Sequence, residues 1–212
     1  MTMRMRVVMA LLAVSICAWG AEEKELFRNE KVRVVEETLR AGASEPVHRH
    51  PPGVIVWLAG GKIEVTPVGG AMRTITPQRG EVNVPSAQPH SGKNVGGNDV
   101  RMVAVSFLGP GKPGDPPWGA AGLAPNYKVL IENQYARVYE IRIPAGHKEP
   151  QHKHKDRVVV CLSGAELRHV FPDGRTETSS LKTGAVVWRR GSTHIGENLG
   201  KTDLWAIGIE PK

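Results

Sequence analysis

Gly42-Ala43-Ser44-Glu45-Pro46-Val47-His48-Arg49-His50 is written twice in this chain. A displacement of 104 residues carries His48 onto His152 and, without a gap, sets Gly42 on Gly146, Glu45 on Glu149, Pro46 on Pro150 and His50 on His154. The register then holds: Val54 falls on Val158, Leu58 on Leu162, Gly60 on Gly164, Gly80 on Gly184, His90 on His194, Asn94 on Asn198 and Asp99 on Asp203. One unit has been used twice. Six of the eight histidines form the pairs His48/His152, His50/His154 and His90/His194, so the repeat places them.

A chain of 212 residues with such a repeat divides into two similar units of about 100 residues. Only 5% of residues are aromatic, while 24 glycines and 16 prolines supply many turns, a composition suited to short strands. Arg4 and Arg6 precede an apolar run from Val7 to Ala18, and small Ala18 and Gly20 stand where a secretory leader is cut. The run is shorter than the roughly 20 residues of a membrane span. Residues 1–20 are therefore expected to be an export signal, giving a secreted or periplasmic protein without a membrane span. Ile16 before Cys17 argues against a lipoprotein. Losing Arg4, Arg6 and Cys17 takes the net charge from +7 to +5 and leaves one thiol, Cys161, which cannot form an internal disulfide. Lysines and arginines are scattered, so the positive balance points away from nucleic acid and towards solubility or small anions.

After a charged lead from Ala21 to Asn29, β-branched residues predict a strand from Lys31 to Arg40. His48 and His50, two apart in an extended segment, face the same way. Further strands are predicted over Val54–Leu58, Ile63–Val65, Met72–Ile75 and Val100–Leu108, with His90 just after a turn. The second unit repeats them over Ala136–Ile143, His152–His154, Val158–Leu162, Leu167–Phe171, Thr176–Leu181, Ala185–Arg189 and Leu204–Ile209. Residues 109–125 are too rich in glycine and proline for either period and read as a linker, with Trp118 positioned to pin it. The division is thus 21–108, 109–125 and 126–212.

Two histidines from one strand and a third from a distant turn converge only if the strands curl into a barrel. Three imidazoles bind a transition metal and leave positions open for water or substrate. Each unit here resembles the cupin family. Gly42, His48, His50 and Gly61 match its first motif, as do Gly146, His152 and His154; Gly80, Pro85, His90 and Asn94 follow the second, as do Gly184, Gly191, His194 and Asn198, with Arg189 at the proline. The resemblance covers nearly all of the chain outside leader and linker. It implies an all-β bicupin, two tandem jelly-roll β-barrels related by the internal repeat.

Cupins commonly add a glutamate to the metal shell, and counting places Val54 and Val158 there. Asp156 stands on a turn and supplies no substitute. The expected shell is three histidines at each site, His48, His50 and His90, then His152, His154 and His194. It would hold a divalent transition metal, Fe(II) favoured by analogy with three-histidine dioxygenases of cupin type, with Mn, Ni, Cu or Zn as alternatives. Arg33 and Arg137 recur and either pair with a substrate carboxylate or carry a surface or interbarrel charge. Glu45 and Glu149 either support the metal pair or form a turn, and Asn94 and Asn198 fix the loop bearing the third histidine or contact substrate. Cys161 is opposite in parity to Val158 and is expected to face away from the metal; His147 and His169, lacking repeat partners, are read as incidental.

Three functions fit these residues. One is a metal-dependent oxidoreductase of dioxygenase type on a small anionic or oxygenated molecule. The second is a non-catalytic module binding a small molecule or sugar, and the third a structural bicupin with relic sites. No G-x-S-x-G elbow or phosphate loop is present, and monomer and homodimer both fit.

Overall fold

The computed structural model describes residues 21–212 and the backbone of Val14–Ile16. The expected leader, 1–20, and its cleavage point otherwise lie outside the described residues. Every described element is a β-strand, and every strand pairing is antiparallel. No described helix is long and apolar enough to cross a membrane.

Each unit is a barrel of two facing sheets. In the first, one sheet runs in the spatial order Val14–Ile16, Ala21–Arg28, Val32–Leu39, Val100–Phe107, Gly53–Ala59 and Val82–Asn83; the other in the order Ser44–His48, His90–Asn94, Ile63–Pro67 and Arg73–Ile75. The second unit repeats both. Its larger sheet contains Lys128–Glu132, Ala136–Ile143, Leu204–Pro211, Arg157–Ser163 and Val186–Arg189; its smaller one contains His152–His154, Ser192–Asn198, Ala165–Val170 and Thr176–Leu181. The architecture is two tandem jelly-roll barrels.

Two stretches depart from the sequence expectation. The charged lead Ala21–Arg28 is a strand hairpinned to Val32–Leu39. Asn29 Oδ1 closes the turn by accepting the amides of Lys31 and Val32, both at 2.9 Å, and Asn133 does the same for Tyr135 and Ala136. The repeat therefore begins at this hairpin. His90–Asn94 and Ser192–Asn198 are also strands, hidden by small and polar residues such as Ser91-Gly92-Lys93.

Alternation along the larger sheets builds two kinds of core. Val32, Val34, Val54, Val56, Val103, Val105 and Phe107 point out of the first barrel and meet Ala136, Val138, Val158, Val160, Leu162, Ile207 and Ile209 of the second in one buried cluster. Fully burying such a side chain is worth about 1.5–3 kcal/mol. The other parity fills the barrel interiors, with Val35, Leu39, Ile55 and Trp57 in the first and Tyr139, Ile141, Val159 and Cys161 in the second. Cys161 thus lies inside the second barrel, contrary to the expectation drawn from Val158, because Val158 faces the other unit. Burial pushes its thiol up to about 11. Iodoacetamide at pH 8 is expected to leave Cys161 unmodified in the native protein and to alkylate it in urea, read by intact mass.

Segment 109–125 has no regular structure but is tied to the second barrel. The amides of Trp118 and Gly119 donate to Glu132, Gly119 and Ala121 offer carbonyls to Arg137, and Lys155 lies 4.2 Å over the Trp118 ring.

Candidate metal centres

Strand pairing explains the convergence of the histidines. His48 sits directly opposite His90 across the ladder and His152 opposite His194, while His50 and His154, two residues on, share the inward face. In each barrel the three candidate ligand atoms lie within 4.8 Å of one another. Ring-centroid separations are 4.8, 4.7 and 5.2 Å in the first triad and 4.8, 4.6 and 5.4 Å in the second.

Most of these rings are oriented through Nδ1. His48 donates to the Pro46 carbonyl at 2.8 Å, His90 to Gln88 at 2.9 Å and His152 to Pro150 at 2.9 Å. A carbonyl only accepts, so Nδ1 carries the proton and Nε2 presents a lone pair to the centre. His194 Nδ1 meets Ser192 Oγ at 3.0 Å. His154 has the longest support: Tyr139 Oη donates to Glu210 at 3.1 Å and so can accept from His154 Nδ1 at 2.9 Å. Burial, then neighbouring histidines, push His50 to about 4 and His194 to about 2; burial also takes His154 to about 4, against the pull of Glu210. His50, His154 and His194 therefore stay neutral at pH 7, the form that ligates metal. His152 Nε2 is buried without a hydrogen-bond partner, a costly state that a cation would relieve. Both donor sets fit a divalent transition ion.

Solved structures carry the same fold. AerE from Microcystis aeruginosa aligns with a TM-score of 0.69 at 14% identity, over 95% of this chain and 97% of that one. Oxalate decarboxylase from Bacillus subtilis aligns at 0.65 and 14%, over 94% and 74%; that of Lactobacillus farciminis, in a formate complex, at 0.65 and 15%, over 95% and 84%. The chain has the cupin fold. By sequence, no family profile and no curated relative matches.

Within a cupin barrel the positions next to the triads read differently from the motif count. Val54 and Val158, where a glutamate was sought, belong to the core between barrels, so a carboxylate there would point away from the metal. The interior positions are their neighbours, Ile55 on the cavity wall of the first barrel and Arg157 and Val159 on that of the second. Glu149 is a carboxylate that approaches the Nε2 side of the second triad. It is buried, its Oε2 is 3.9 Å from His152 Nε2, and Asn126 and Tyr127 donate to it at 2.9 and 3.2 Å. Burial raises its pKa against those hydrogen bonds and His152. Gly196 leaves room for it: a Cβ there would lie 2.5 Å from Glu149 Oε2. Glu45 lies against Gly92 in the same way. These glutamates are inward groups, and of the two roles read for them, support of the metal pair or a turn, the position of Glu149 beside His152 favours support.

The remaining candidates are structural in their contacts. Asn94 and Asn198 are fully buried; Asn94 donates to Leu39 and Asn98 carbonyls and accepts from Gly96, and Asn198 repeats this with Ile143, Thr202 and Gly200. They tie the loop after the third-histidine strand and have no atom left for substrate. Arg33 pairs with Glu23 and Glu25. Arg137 is committed to Glu210 and to the segment 109–125. Asp156 caps Gly191 and binds Lys31 of the first unit at 3.2 Å. His169, read as incidental, is 4.7 Å ring to ring from His194.

The two sites differ in free space. Glu23, Val35, Gly53 and Val65 of the first barrel are replaced in the second by Tyr127, Tyr139, Arg157 and His169. The larger groups fill the second interior: Tyr127 stacks 5.6 Å from His154 and 5.7 Å from Tyr139. A cavity of about 500 Å³ remains in the first barrel, against about 50 Å³ among the interior side chains of the second and a separate pocket of about 280 Å³ bordering His194.

Proposed function

We propose that the chain is a metal-dependent enzyme whose reaction chamber is the first barrel and whose substrate is a small oxygenated molecule. The single observation carrying this reading is the cavity of about 500 Å³, which exposes His50 and His90 beside Glu37 and Glu45. A divalent ion held by Nε2 of His48, His50 and His90 would bind and polarise substrate oxygens. Ile55, Trp57 and Met102 supply the apolar part of the wall. Three carboxylates, Glu37, Glu45 and Glu81, against the one arginine on this wall, Arg73, disfavour a dianion here, so the substrate is best read as a hydroxylated or carbonyl compound of low charge.

Glu37 is suited to proton transfer. Burial first, then the charges of Glu45 and Glu23, raise it to about 7 against the pull of Arg33. At neutral pH it both gives and takes a proton. Oxidation by O2 is the reaction class we favour, since three imidazole ligands leave open positions on Fe(II); Mn(II) is the other metal to test, because a Bacillus subtilis oxalate decarboxylase holds Mn(II) centres. Export through residues 1–20 belongs to the same reading.

The test is oxygen uptake and product analysis, with Fe(II)- and Mn(II)-reconstituted protein, on hydroxy and carbonyl compounds. Glu37→Gln is expected to lower kcat by about a hundredfold and to remove the pH limb near 7. It also reports stability. The folded carboxyl ionises near 7 and the unfolded one near 4.5, so the wild type loses stability as pH rises between those values. The variant should melt higher than wild type above pH 7 and no higher near pH 4.5. Thermal stabilisation by a compound without turnover would replace the enzyme reading with that of a binding module.

A further inference from the structure

The second barrel carries three arginines that its twin lacks. Gly53, Pro85 and Ser86 of the first unit correspond to Arg157, Arg189 and Arg190. Arg157 and Arg189 are direct cross-strand partners between Arg157–Ser163 and Val186–Arg189. Like charges so placed repel; where the first barrel sets Arg28 opposite Arg33, the Glu25 carboxylate bridges both.

Arg157 is only 7% exposed; its Nε is buried without a hydrogen-bond partner, and Nη1 reaches just the Lys155 carbonyl, at 3.5 Å. Among the described residues, none of Arg157, Arg189 and Arg190 has a carboxylate within salt-bridge distance. A buried guanidinium without an anion is unfavourable. These groups border a pocket of about 280 Å³, lined also by His169, Ser192 and His194. The other charges on its wall, Arg175 and Glu177, are 2.5 Å apart and satisfy each other.

We propose that this pocket binds a small oxyanion, a carboxylate or an inorganic oxyanion such as phosphate, clamped between Arg157 and Arg189. Two guanidinium forks match the paired oxygens of such an ion. The volume admits an ion of a few heavy atoms. The inference stands on the second barrel alone and is independent of turnover in the first.

Titration calorimetry and thermal melting of the full chain with malonate and with phosphate, at ionic strength fixed by sodium chloride, test it. A saturable heat and a saturable rise in Tm are expected with at least one ion; a preference for malonate marks a carboxylate ligand, and for phosphate an inorganic one. Arg157→Met and Arg189→Met should each weaken binding at least tenfold, and Arg175→Met should not. If Arg157→Met does not fold, Arg189→Met, at a partly exposed position, decides. Absence of saturable binding of both ions overturns the proposal. So does unchanged binding in both arginine variants together with its loss in His194→Ala, which would place the anion on a metal rather than on the guanidinium clamp.

Discussion

His90→Ala is expected to remove the metal of the first barrel, to abolish turnover there and to leave the second barrel loaded. The first triad is only partly buried, so the apo site remains hydrated and the variant folds. Losing one of three ligands should weaken binding well beyond the roughly 10–100-fold that changes in supporting groups cost. Metal analysis should therefore fall from two equivalents per chain to one, and activity by more than about a hundredfold. His194→Ala should remove the other equivalent while the first barrel keeps its activity. Two equivalents in His90→Ala, or equal loss of activity in both variants, would refute the division of labour between barrels.

Arg137→Met should be the most destabilising single change, by about 3–5 kcal/mol at pH 7. Arg137 and Glu210 are 2% and 0% exposed and meet at 2.5 Å. Removing the guanidinium leaves Glu210 with only Tyr139 and the Lys155 amide as donors and releases the carbonyls of Gly119 and Ala121. Burial alone would raise the Glu210 carboxyl, but His154 and Arg137 overcome it and hold the carboxyl below its usual range. Its contribution is therefore present above the ordinary glutamate pKa, about 4.3, and lost as pH falls through the lower folded value. Urea unfolding should show the gap between wild type and Arg137→Met narrowing as the medium is acidified below that range. A gap that stays constant would mean that packing, not charge, is lost.

Much of the fold was legible because the repeat aligned both copies. The three histidine pairs and the repeated strand order follow from the 104-residue displacement, and the irregular segment 109–125 from its glycine and proline content. The reason for Pro46 and Pro150 was not: each lends its carbonyl to the histidine two residues on. Counting to a motif glutamate chose Val54 and Val158, because one residue of register flips every side chain to the other face. The inward glutamates could have been found from Gly92 and Gly196, which also obey the displacement and sit where a side chain would collide with a carboxylate. Glu37, Arg157 and His169 were hidden for the opposite reason. They break the repeat, and only the folded barrel shows that they surround the sites.

The core between the barrels sets a rule for how the copies can diverge. Val34 and Val138, Val54 and Val158, Val56 and Val160, Val103 and Ile207, and Val105 and Ile209 are repeat partners that share one cluster. A volume change at one of them must be absorbed in a cluster that both copies share, and all five pairs have stayed apolar and β-branched. Inward positions answer only to their own barrel, and there valine has become tyrosine, glycine arginine and serine glutamate, at Val35/Tyr139, Gly53/Arg157 and Ser106/Glu210. The shared wall keeps the duplicated halves mechanically alike, while the space behind it leaves each chamber free to acquire its own chemistry.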